Sequence, residues 1–439
     1  MSSSQHATIF SSGLIIYNLF PRLVGPVDRW YSHIDRAHAM RFNAIYINPF
    51  HYPGFSGSLY APKNYYEFNP LFMDRKKGAD QLKQLCAYVH DKGSLMIMDL
   101  VINHTAIDAD IVSEHPSWFK RKKDGTVQNP SAIDPADARR VTVWGDLAEI
   151  DNENAPDREA LWAYWKELIT FYLDVGFDGF RCDAAYQVPV VLWEELIPHA
   201  RKKKNDCLFI AETLGCQEED IVNLSRLGFD YIYNSFKWWD FKEEWFMRQY
   251  DMSMRHAASI SFPETHDTER LYAECGGDVR IMKMRYLSAA LLTKGVLMPV
   301  GYEFGFRKRL NVVHTQMQDW EDPNIDLSDF ITRVNEIKLA HNVFNEDNIL
   351  KILPVDDTAV FVLLKMSKDR KERALIMLNT DAAASHTIAF DDIFDRMGIP
   401  ESCRLADLSI EQALPQISKR FQCSLSPYQI KIIFGKTLG

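Results

Sequence analysis

The chain has 439 residues, of which 46% are hydrophobic and 25% charged, so it can form one large domain and a smaller one around a sizeable core. Its formal net charge of −10 and its shortage of basic blocks argue against nucleic acid and anionic membranes as partners. The seven cysteines are widely spread and none has a C-x-x-C spacing, which favours reduced thiols over a disulfide framework or a zinc site.

The N-terminal residues show no targeting pattern. The stretch from Met1 to His6 lacks the positive segment of a secretory signal. The first apolar run, residues 13–20, is too short to cross a bilayer and is interpreted as a buried strand. We therefore expect a cytoplasmic protein without a membrane partner.

Short apolar runs alternate with amphipathic stretches from residue 13 to residue 341. The apolar runs cover residues 13–20, 44–50, 95–102, 179–184, 208–213, 231–235, 260–267 and 296–303. The helical patterns cover residues 27–41, 79–92, 158–175, 190–204, 218–227, 241–256, 278–293 and 327–341. These strand–helix units predict an α/β fold in which parallel strands, buried on both faces, close into a (β/α)8 TIM barrel. An open doubly wound sheet is the alternative, but no G-x-G-x-x-G follows the first strand.

Two regions depart from this alternation. Residues 104–157 form a long polar segment after the third strand, and we expect a small inserted subdomain there because structureless loops of that length are rare. Short β-type runs joined by polar turns follow residue 343, and they predict an antiparallel β-sandwich domain over residues 344–439. Residues 1–103 and 158–343 then form the two parts of the barrel.

Polar side chains gather where the predicted strands end. Strand three is followed by Asp99, Asn103 and His104, strand four carries Arg181 and Asp183, strand five ends at Glu212, and strand seven ends at His266 and Asp267. The C-terminal strand ends of such a barrel form its site, so these side chains are expected to converge. Arg181 and Asp183 are two residues apart on a strand, which sends both to the same side and keeps the carboxylate ionised.

Two kinds of site fit this cluster. Carboxylates and histidines together can bind a divalent metal, as in metal-dependent lyases. Alternatively, two carboxyls flank a glycosidic bond, one as nucleophile and the other as acid and base. Arg181 argues against the metal, because a fixed cation two residues from Asp183 would repel it.

The sequence resembles the α-amylase family of glycoside hydrolases and transglycosylases in motifs that occur in the family's order. These are Asp99-Leu-Val-Ile-Asn103-His104 on strand three, Gly179-Phe-Arg181-Cys-Asp183-Ala on strand four, Ala211-Glu212-Thr213 on strand five and Phe262-Pro-Glu-Thr-His266-Asp267 on strand seven. The loop from Ser58-Leu59-Tyr60 to Asn69-Pro70 and the strand-eight segment Gly301-Tyr302-Glu303 match as well. The match spans the whole predicted barrel.

The resemblance implies a retaining enzyme that acts on α-1,4-linked glucosides, with an oligosaccharide or α-glucan as substrate. Asp183 would be the nucleophile, Glu212 the general acid and then base, with a raised pKa, and Asp267 the ligand of the 2- and 3-hydroxyls. The resemblance also implies that Tyr60 stacks on the sugar while His104 and His266 bind its hydroxyls. Arg181 would orient Asp183, with Asp99 as a support behind it.

The sequence also departs from the family. Many members carry Lys-His where this chain has Tyr186-Gln187, and Asn103 alone is a poor calcium site, so no cofactor is expected, with a structural calcium ion as the alternative. The segment His115-Pro116-Ser-Trp118-Phe119 resembles the maltosyltransferase branch. A transglycosylase, such as a maltosyltransferase or sugar phosphorylase, and a non-catalytic glycan-binding relative are therefore the alternative functions. The aromatic residues between 236 and 246 are either core or a sugar-stacking platform.

Overall fold

The computed structural model describes residues 13–134, 137–241 and 243–437. Residues 1–12, 438 and 439 lie outside this part of the chain. The expectation about a secretory signal rests on residues 1–12, and the predicted first barrel segment begins with them.

Eight parallel strands form a closed barrel. They are β1 (Leu14–Leu19), β2 (Ala44–Ile47), β3 (Leu95–Leu100), β4 (Gly179–Cys182), β5 (Leu208–Ala211), β6 (Tyr231–Tyr233), β7 (Ala258–Ser261) and β8 (Gly295–Pro299). Each strand pairs with its neighbour in the chain, and β1 pairs with β8 to close the barrel. The predicted barrel is confirmed, and each strand falls at one of the apolar runs.

Alternate strand residues fill the barrel interior. Residues such as Leu14, Ile16, Tyr46, Ile97 and Leu297 pack together there and are at most 2% exposed. The residues between them face outward and pack against the helices, so each strand is buried on both faces. This explains why the strands occur in the sequence as continuous apolar runs.

Eight helices surround the strands. They are α1 (Trp30–Ala39), α2 (Gly78–Asp91), α3 (Arg158–Val175), α4 (Val190–Lys203), α5 (Glu218–Ser225), α6 (Trp245–His256), α7 (Val279–Leu292) and α8 (Ser328–Ala340). Each of them overlaps one of the predicted amphipathic stretches. Short helices at Pro21–Val24, Asp110–Glu114, Leu271–Glu274 and Ile393–Met397 were not predicted.

The segment between β3 and α3 contains two small antiparallel pairs. His104–Ala106 pairs with Leu147–Glu149, and Ser131–Asp134 pairs with Asp137–Val143. The Asn152 side chain donates to the carbonyl of Ile102 at 2.8 Å and so ties the end of this insertion to the end of β3. The exact boundaries predicted for the insertion and the other domains stay predictions.

The C-terminal region is antiparallel, as predicted. Its strands are β9 (Leu350–Leu353), β10 (Val360–Met366), β11 (Glu372–Asn379), β12 (His386–Phe390), β13 (Leu405–Asp407), β14 (Phe421–Leu425) and β15 (Ile430–Lys436). Five of them form a sheet in the order β9-β10-β11-β15-β13, and β12 pairs with β14. Val362, Leu375 and Ile433 of the sheet pack on Phe390 and Phe421 of the pair. The β-type runs in the sequence, residues 349–354, 359–365, 374–379, 387–390 and 429–434, fall at β9, β10, β11, β12 and β15, whereas β13 and β14 were not predicted.

No helix in the described ranges combines the length and apolarity needed to cross a membrane.

Candidate active site

Arg181 lies at the centre of the polar cluster. It is level with Asp99 of the neighbouring strand, and its side chain is 3% exposed. Its Nη1 donates to Asp99 Oδ1 at 2.6 Å and to Asp183 Oδ1 at 2.7 Å. Burial alone would lower the pKa of Arg181, but nearby anionic groups, Asp99 first, raise it well above its usual value. The guanidinium is therefore a permanent cation that binds both carboxylates.

Asp99 lies beneath the site. Its second oxygen accepts hydrogen bonds from the hydroxyls of Tyr46 at 2.5 Å and Tyr60 at 2.7 Å, and the residue is fully buried. With both oxygens bound, Asp99 fixes the positions of Arg181 and Tyr60. The structure thus places it where the sequence analysis predicted a support.

Glu212 is held by two backbone amides. Leu214 N donates to Oε1 at 2.8 Å, and Ala184 N donates to Oε2 at 3.0 Å. Ala184 has φ 42°, in the left-handed region, which costs about 1–2 kcal/mol for a residue with a Cβ. At this turn the N–H of the Asp183–Ala184 peptide bond reaches Glu212.

The pKa of Glu212 is raised to about 7, first by burial and then by Asp183, while Arg181 opposes the shift. An acid with such a pKa is protonated in about half of the molecules at pH 7, and that form can donate its proton. The two neighbouring carboxyls therefore differ in environment. Asp183 accepts a hydrogen bond from Arg181 at 2.7 Å, whereas Glu212 lies 3.9 Å from that cation and is buried with a raised pKa.

A second group of the polar cluster consists of His266, Asp267 and Tyr60. His266 Nε2 lies 2.7 Å from the Tyr60 hydroxyl and 3.1 Å from Asp267 Oδ2, and the two rings are parallel with centroids 5.5 Å apart. The Asp267 side chain is 57% exposed, so its carboxylate can accept hydroxyls from a ligand. Arg309 donates to the backbone carbonyl of Asp267 at 2.8 Å.

His104 lies on the first strand of the insertion. Its Nε2 donates to the carbonyl of Tyr60 at 3.1 Å, and burial lowers the pKa of its imidazole. It is therefore a neutral hydrogen-bonding group in the site.

A cavity of about 360 Å³ joins these side chains. Asp183, Glu212, Asp267, Tyr60 and His104 line it. The other predicted site residues, Asp99, Arg181 and His266, contact the lining residues from behind. The structure brings all eight together, while their individual roles stay predictions.

Asn103, where the resemblance to the α-amylase family implies a calcium ion, makes direct hydrogen bonds to protein groups. Asn103 Nδ2 donates to Gln187 Oε1 at 2.8 Å, and the Asn103 carbonyl accepts from Ile150 N at 3.1 Å. No group of three or more His, Cys, Asp or Glu side chains in the described part of the chain is arranged to hold a metal ion. Direct hydrogen bonds thus occupy the side-chain N–H and the carbonyl of Asn103 and the side-chain oxygen of Gln187.

The aromatic residues after β6 are mostly core. Phe236, Trp239, Phe241 and Phe246 are at most 2% exposed and pack on one another, whereas Trp238 is 51% exposed. The sugar-platform interpretation is therefore wrong for the buried members of this group.

Sequence reasoning missed several supporting residues. Tyr46 on β2 binds Asp99, and Asn48 donates to the Tyr60 hydroxyl at 3.0 Å. The left-handed Ala184 also carries no sequence signal, since alanine rarely adopts that conformation. Tyr46 and Asn48 alternate with Ile47, which indicates one inward face, but the partner of each depends on barrel closure.

Comparison with known proteins gives consistent matches. Residues 7–120 match the model of the glucanotransferase domain of glycogen debranching enzyme. An α-1,4-glucan:maltose-1-phosphate maltosyltransferase from Burkholderia pseudomallei is 24% identical over 85% of this chain and 34% of its own length. The enzyme of the same name from Rhodospirillum rubrum is 26% identical over 70% of this chain and 44% of its own length. The chain thus spans about a third to a half of these curated relatives.

Solved structures show the same fold. The α-amylase of Geobacillus thermoleovorans, complexed with acarbose, superposes with a TM-score of 0.79 at 15% identity, over 98% of this chain and 99% of its own. An α-amylase from Lactobacillus plantarum gives a TM-score of 0.76 at 19% identity, over 97% and 99% of the two chains. In its fold, in the motifs at its strand ends and in the maltosyltransferases among its sequence relatives, the chain is similar to the α-amylase family.

Proposed function

We propose that this chain is a retaining enzyme that cleaves α-1,4-linked glucosides through a covalent glycosyl-enzyme. The observation that carries the proposal is the contrast between two carboxyls in one cavity. Asp183 is bound to the permanent cation Arg181, whereas Glu212 is buried with its pKa raised to about 7. A retaining glycosidase needs this division between a nucleophile and a proton donor.

The proposed reaction has two displacements. An Asp183 oxygen attacks the anomeric carbon while Glu212 gives its proton to the departing glycosidic oxygen, so one C–O bond forms as the other breaks. Glu212 then takes a proton from water or from a sugar hydroxyl, whose oxygen attacks the same carbon and releases Asp183. Asp267 binds the 2- and 3-hydroxyls, and Tyr60 packs on the apolar face of the ring.

Transfer to a sugar is the second candidate, supported by the names of the sequence relatives, which are maltosyltransferases. A phosphorylase-like reaction would use phosphate in place of water. A non-catalytic glycan-binding protein is the third candidate, and the presence of all three acids in the cavity speaks against it.

Maltoheptaose turnover followed by product sizing tests the proposal. Wild type should shorten the substrate and release products of α configuration. Asp183→Asn should lower kcat by at least about 10³-fold while it still binds the substrate, because it removes the attacking carboxylate. Asp174→Asn, an exposed residue on α3 paired with Lys203, is the control and should keep full activity. Full turnover in Asp183→Asn would remove the proposed nucleophile.

We also propose that the enzyme needs no calcium, because the hydrogen bond from Asn103 to Gln187 connects the elements that an ion would connect. A cytoplasmic location is proposed as well. It is supported by the cysteines, all seven of which lie in the described ranges and are free thiols.

A further inference from the structure

Asp267 is held in place differently from the other two acids of the cavity. Asp183 directly follows β4, and Glu212 directly follows β5. Asp267 lies six residues beyond Ser261, the last residue of β7, and its side chain is 57% exposed. A barrel strand therefore fixes the first two carboxyls, whereas the position of Asp267 depends on what holds the β7 turn, residues 264–271.

A buried ion pair closes the β7 turn. Glu264 stands at its start and Arg270 near its end, and both side chains are 1% exposed. Arg270 Nη1 donates to Glu264 Oε1 at 2.7 Å, and the backbone N–H of Leu271 donates to Glu264 Oε2 at 2.6 Å. Because both carboxylate oxygens are bound, the two ends of the turn stay together, with Asp267 between them.

Arg270 also binds the segment that follows β8. Its Nη2 donates to the carbonyl of Val300 at 2.8 Å, and its Nε donates to the carbonyl of Lys308 at 3.3 Å. Each of its three guanidinium nitrogens therefore has an acceptor, one in the β7 turn and two beyond β8. The β7 turn is thus fixed relative to the end of the next barrel strand.

Arg309, the residue after Lys308, binds the β7 turn in the opposite direction. Its Nη2 donates to the backbone carbonyl of Asp267 at 2.8 Å, and its Nη1 donates to Glu269 Oε1 at 3.1 Å. One planar guanidinium thus binds the turn at two points, which the single charged nitrogen of a lysine would do less well. An arginine from each element therefore donates to the backbone of the other.

The two arginines line a different cavity from the three acids. Arg270 and Arg309 line a cavity of about 310 Å³, whereas Asp267 lines the one of about 360 Å³ together with Asp183 and Glu212. The arginines therefore act on the acids through the β7 turn and its backbone.

We propose that Arg270 and Arg309 are positioning residues that set the Asp267 carboxylate against the hydroxyls of the reacting sugar. The inference rests on the proposed function, in which Asp267 binds the 2- and 3-hydroxyls. Misplacing a group by about 1 Å can cost about 100-fold in rate. A loosened β7 turn should therefore weaken recognition of these hydroxyls and leave Asp183, which is fixed by β4, in place.

The experiment measures recognition of one hydroxyl. The donors are α-maltosyl fluoride and its analogue without the 3-hydroxyl on the reacting ring, and the ratio of their kcat/KM values is the 3-hydroxyl preference. Fluoride leaves with little need for a proton, so the measurement depends little on Glu212. The variants are Arg309→Met, Arg270→Lys and Asp267→Ala. Arg280→Met on α7 is the matched control, because Arg280 is 52% exposed and Arg309 is 55% exposed.

Arg309→Met should lower the 3-hydroxyl preference about 3- to 10-fold, because two hydrogen bonds to the β7 turn are lost. Arg270→Lys keeps a cation beside Glu264 but loses the planar fork of donors, so it should lower the preference at least as much. In both variants kcat should fall more than KM rises, since the contact with the sugar acts in the transition state. Arg280→Met should keep the wild-type preference.

The double variant Asp267→Ala/Arg309→Met tests whether Arg309 acts through the carboxylate. Its preference should equal that of Asp267→Ala, because the arginine then has no carboxylate to position. A further drop in the double variant would show that Arg309 contacts the sugar itself, and it would overturn the proposal. Arg309 is more than half exposed, so its variants decide the question even where Arg270→Lys does not fold.

A merely structural arginine would slow both donors equally and leave the preference unchanged. That result in Arg309→Met would overturn the proposal, and in a folded Arg270→Lys it would remove Arg270 from it; either would leave the proposed function standing. A wild-type preference in Asp267→Ala would overturn the role of Asp267 and this inference with it. If wild type released fluoride from neither donor, the proposed function and this inference would both be rejected.

Discussion

At the scale of single residues, the environment of Glu212 predicts a pH dependence. Its pKa is raised to about 7, so the protonated acid is present below that pH and lost above it. We expect kcat/KM for maltoheptaose to fall roughly tenfold per pH unit above about pH 7, because the free enzyme then lacks its proton donor. Initial rates between pH 5 and pH 9 measure the pH at which kcat/KM begins to fall.

The same pKa shift also makes the stability of the fold depend on pH. Burial raises the folded-state pKa of Glu212, so the folded protein holds this proton more tightly than the unfolded chain does. The stability associated with Glu212 is present below the ordinary pKa of a glutamate and is lost as the pH rises through about 7. An activity that falls only below pH 5 and stays level to pH 9 would contradict the role of Glu212 as the acid.

Arg181 predicts a large effect on stability. Arg181→Met should lower the free energy of unfolding by about 3–5 kcal/mol, because it leaves Asp99 buried without its cation. Urea unfolding measures the change. Arg280→Met is the control: its ion pair with Asp278 lies at the surface, and its removal should change stability little. Equal losses in the two variants would show that burial of the Arg181 pair does not matter.

Much of the site could be predicted from the sequence, because the polar side chains at the strand ends occur in short motifs. The position of Ala184 could not, because its left-handed φ is imposed by the turn that leaves β4. The contacts of Tyr46 and Asn48 join different strands and depend on barrel closure. Sequence reasoning thus identified the charged groups of the cluster, including Arg181 and Asp99, and missed the uncharged Tyr46 and Asn48 that bind them and Tyr60.

At the scale of elements, the bond between Asn103 and Gln187 predicts independence from calcium. It joins the end of β3, where the insertion begins, to the turn after β4. The insertion is thereby held to the barrel. EDTA should leave the melting temperature of wild type unchanged. Gln187→Leu should lower the free energy of unfolding by about 1 kcal/mol, because one hydrogen bond is lost.

Thermal scans with EDTA and with added calcium chloride measure both effects. Gln412→Leu, an exposed residue of the C-terminal domain whose side chain makes a bond of 3.5 Å to Gln429, is the control. A melting temperature of wild type that rises with calcium would contradict this interpretation of the bond.

The elements themselves were predictable to different degrees. The barrel strands are continuous apolar runs because both faces are buried. In the C-terminal domain, β14 alternates buried and exposed residues over Phe421–Leu425, so a period of two was available to find it. By contrast, β13 is three residues long with two exposed, and only its pairing with β15 defines it as a strand.

At the scale of the whole molecule, two buried lysines connect the barrel to the C-terminal domain. Lys365 on β10 donates to the carbonyl of Glu346 at 2.7 Å, to the carbonyl of Leu292 at the end of α7, and to the hydroxyl of Tyr250 on α6 at 3.2 Å. Lys338 on α8 donates to three more carbonyls near the same junction. Both ammonium groups bind backbone that would otherwise be buried without partners.

This junction predicts that the two domains unfold together. Wild type should show one calorimetric transition, because separating the domains would expose the carbonyls and the apolar surface between them. Lys365→Met should lower the free energy of unfolding by about 2 kcal/mol at pH 7 and broaden or split this transition, since the acceptors on α6 and α7 lose their donor. Lys351→Met on β9, whose side chain is exposed, is the matched control and should leave the transition unchanged.

The pH dependence of the same variant gives an independent measure. Burial lowers the pKa of Lys365 from 10.5 to about 8, so the unfolded chain binds more protons than the folded protein between these values. The contribution of Lys365 to stability therefore rises with pH through this window, and the difference between wild type and Lys365→Met should widen from pH 8 to pH 10. A constant difference, together with an unsplit transition in the variant, would show that the two domains are held together by apolar packing alone.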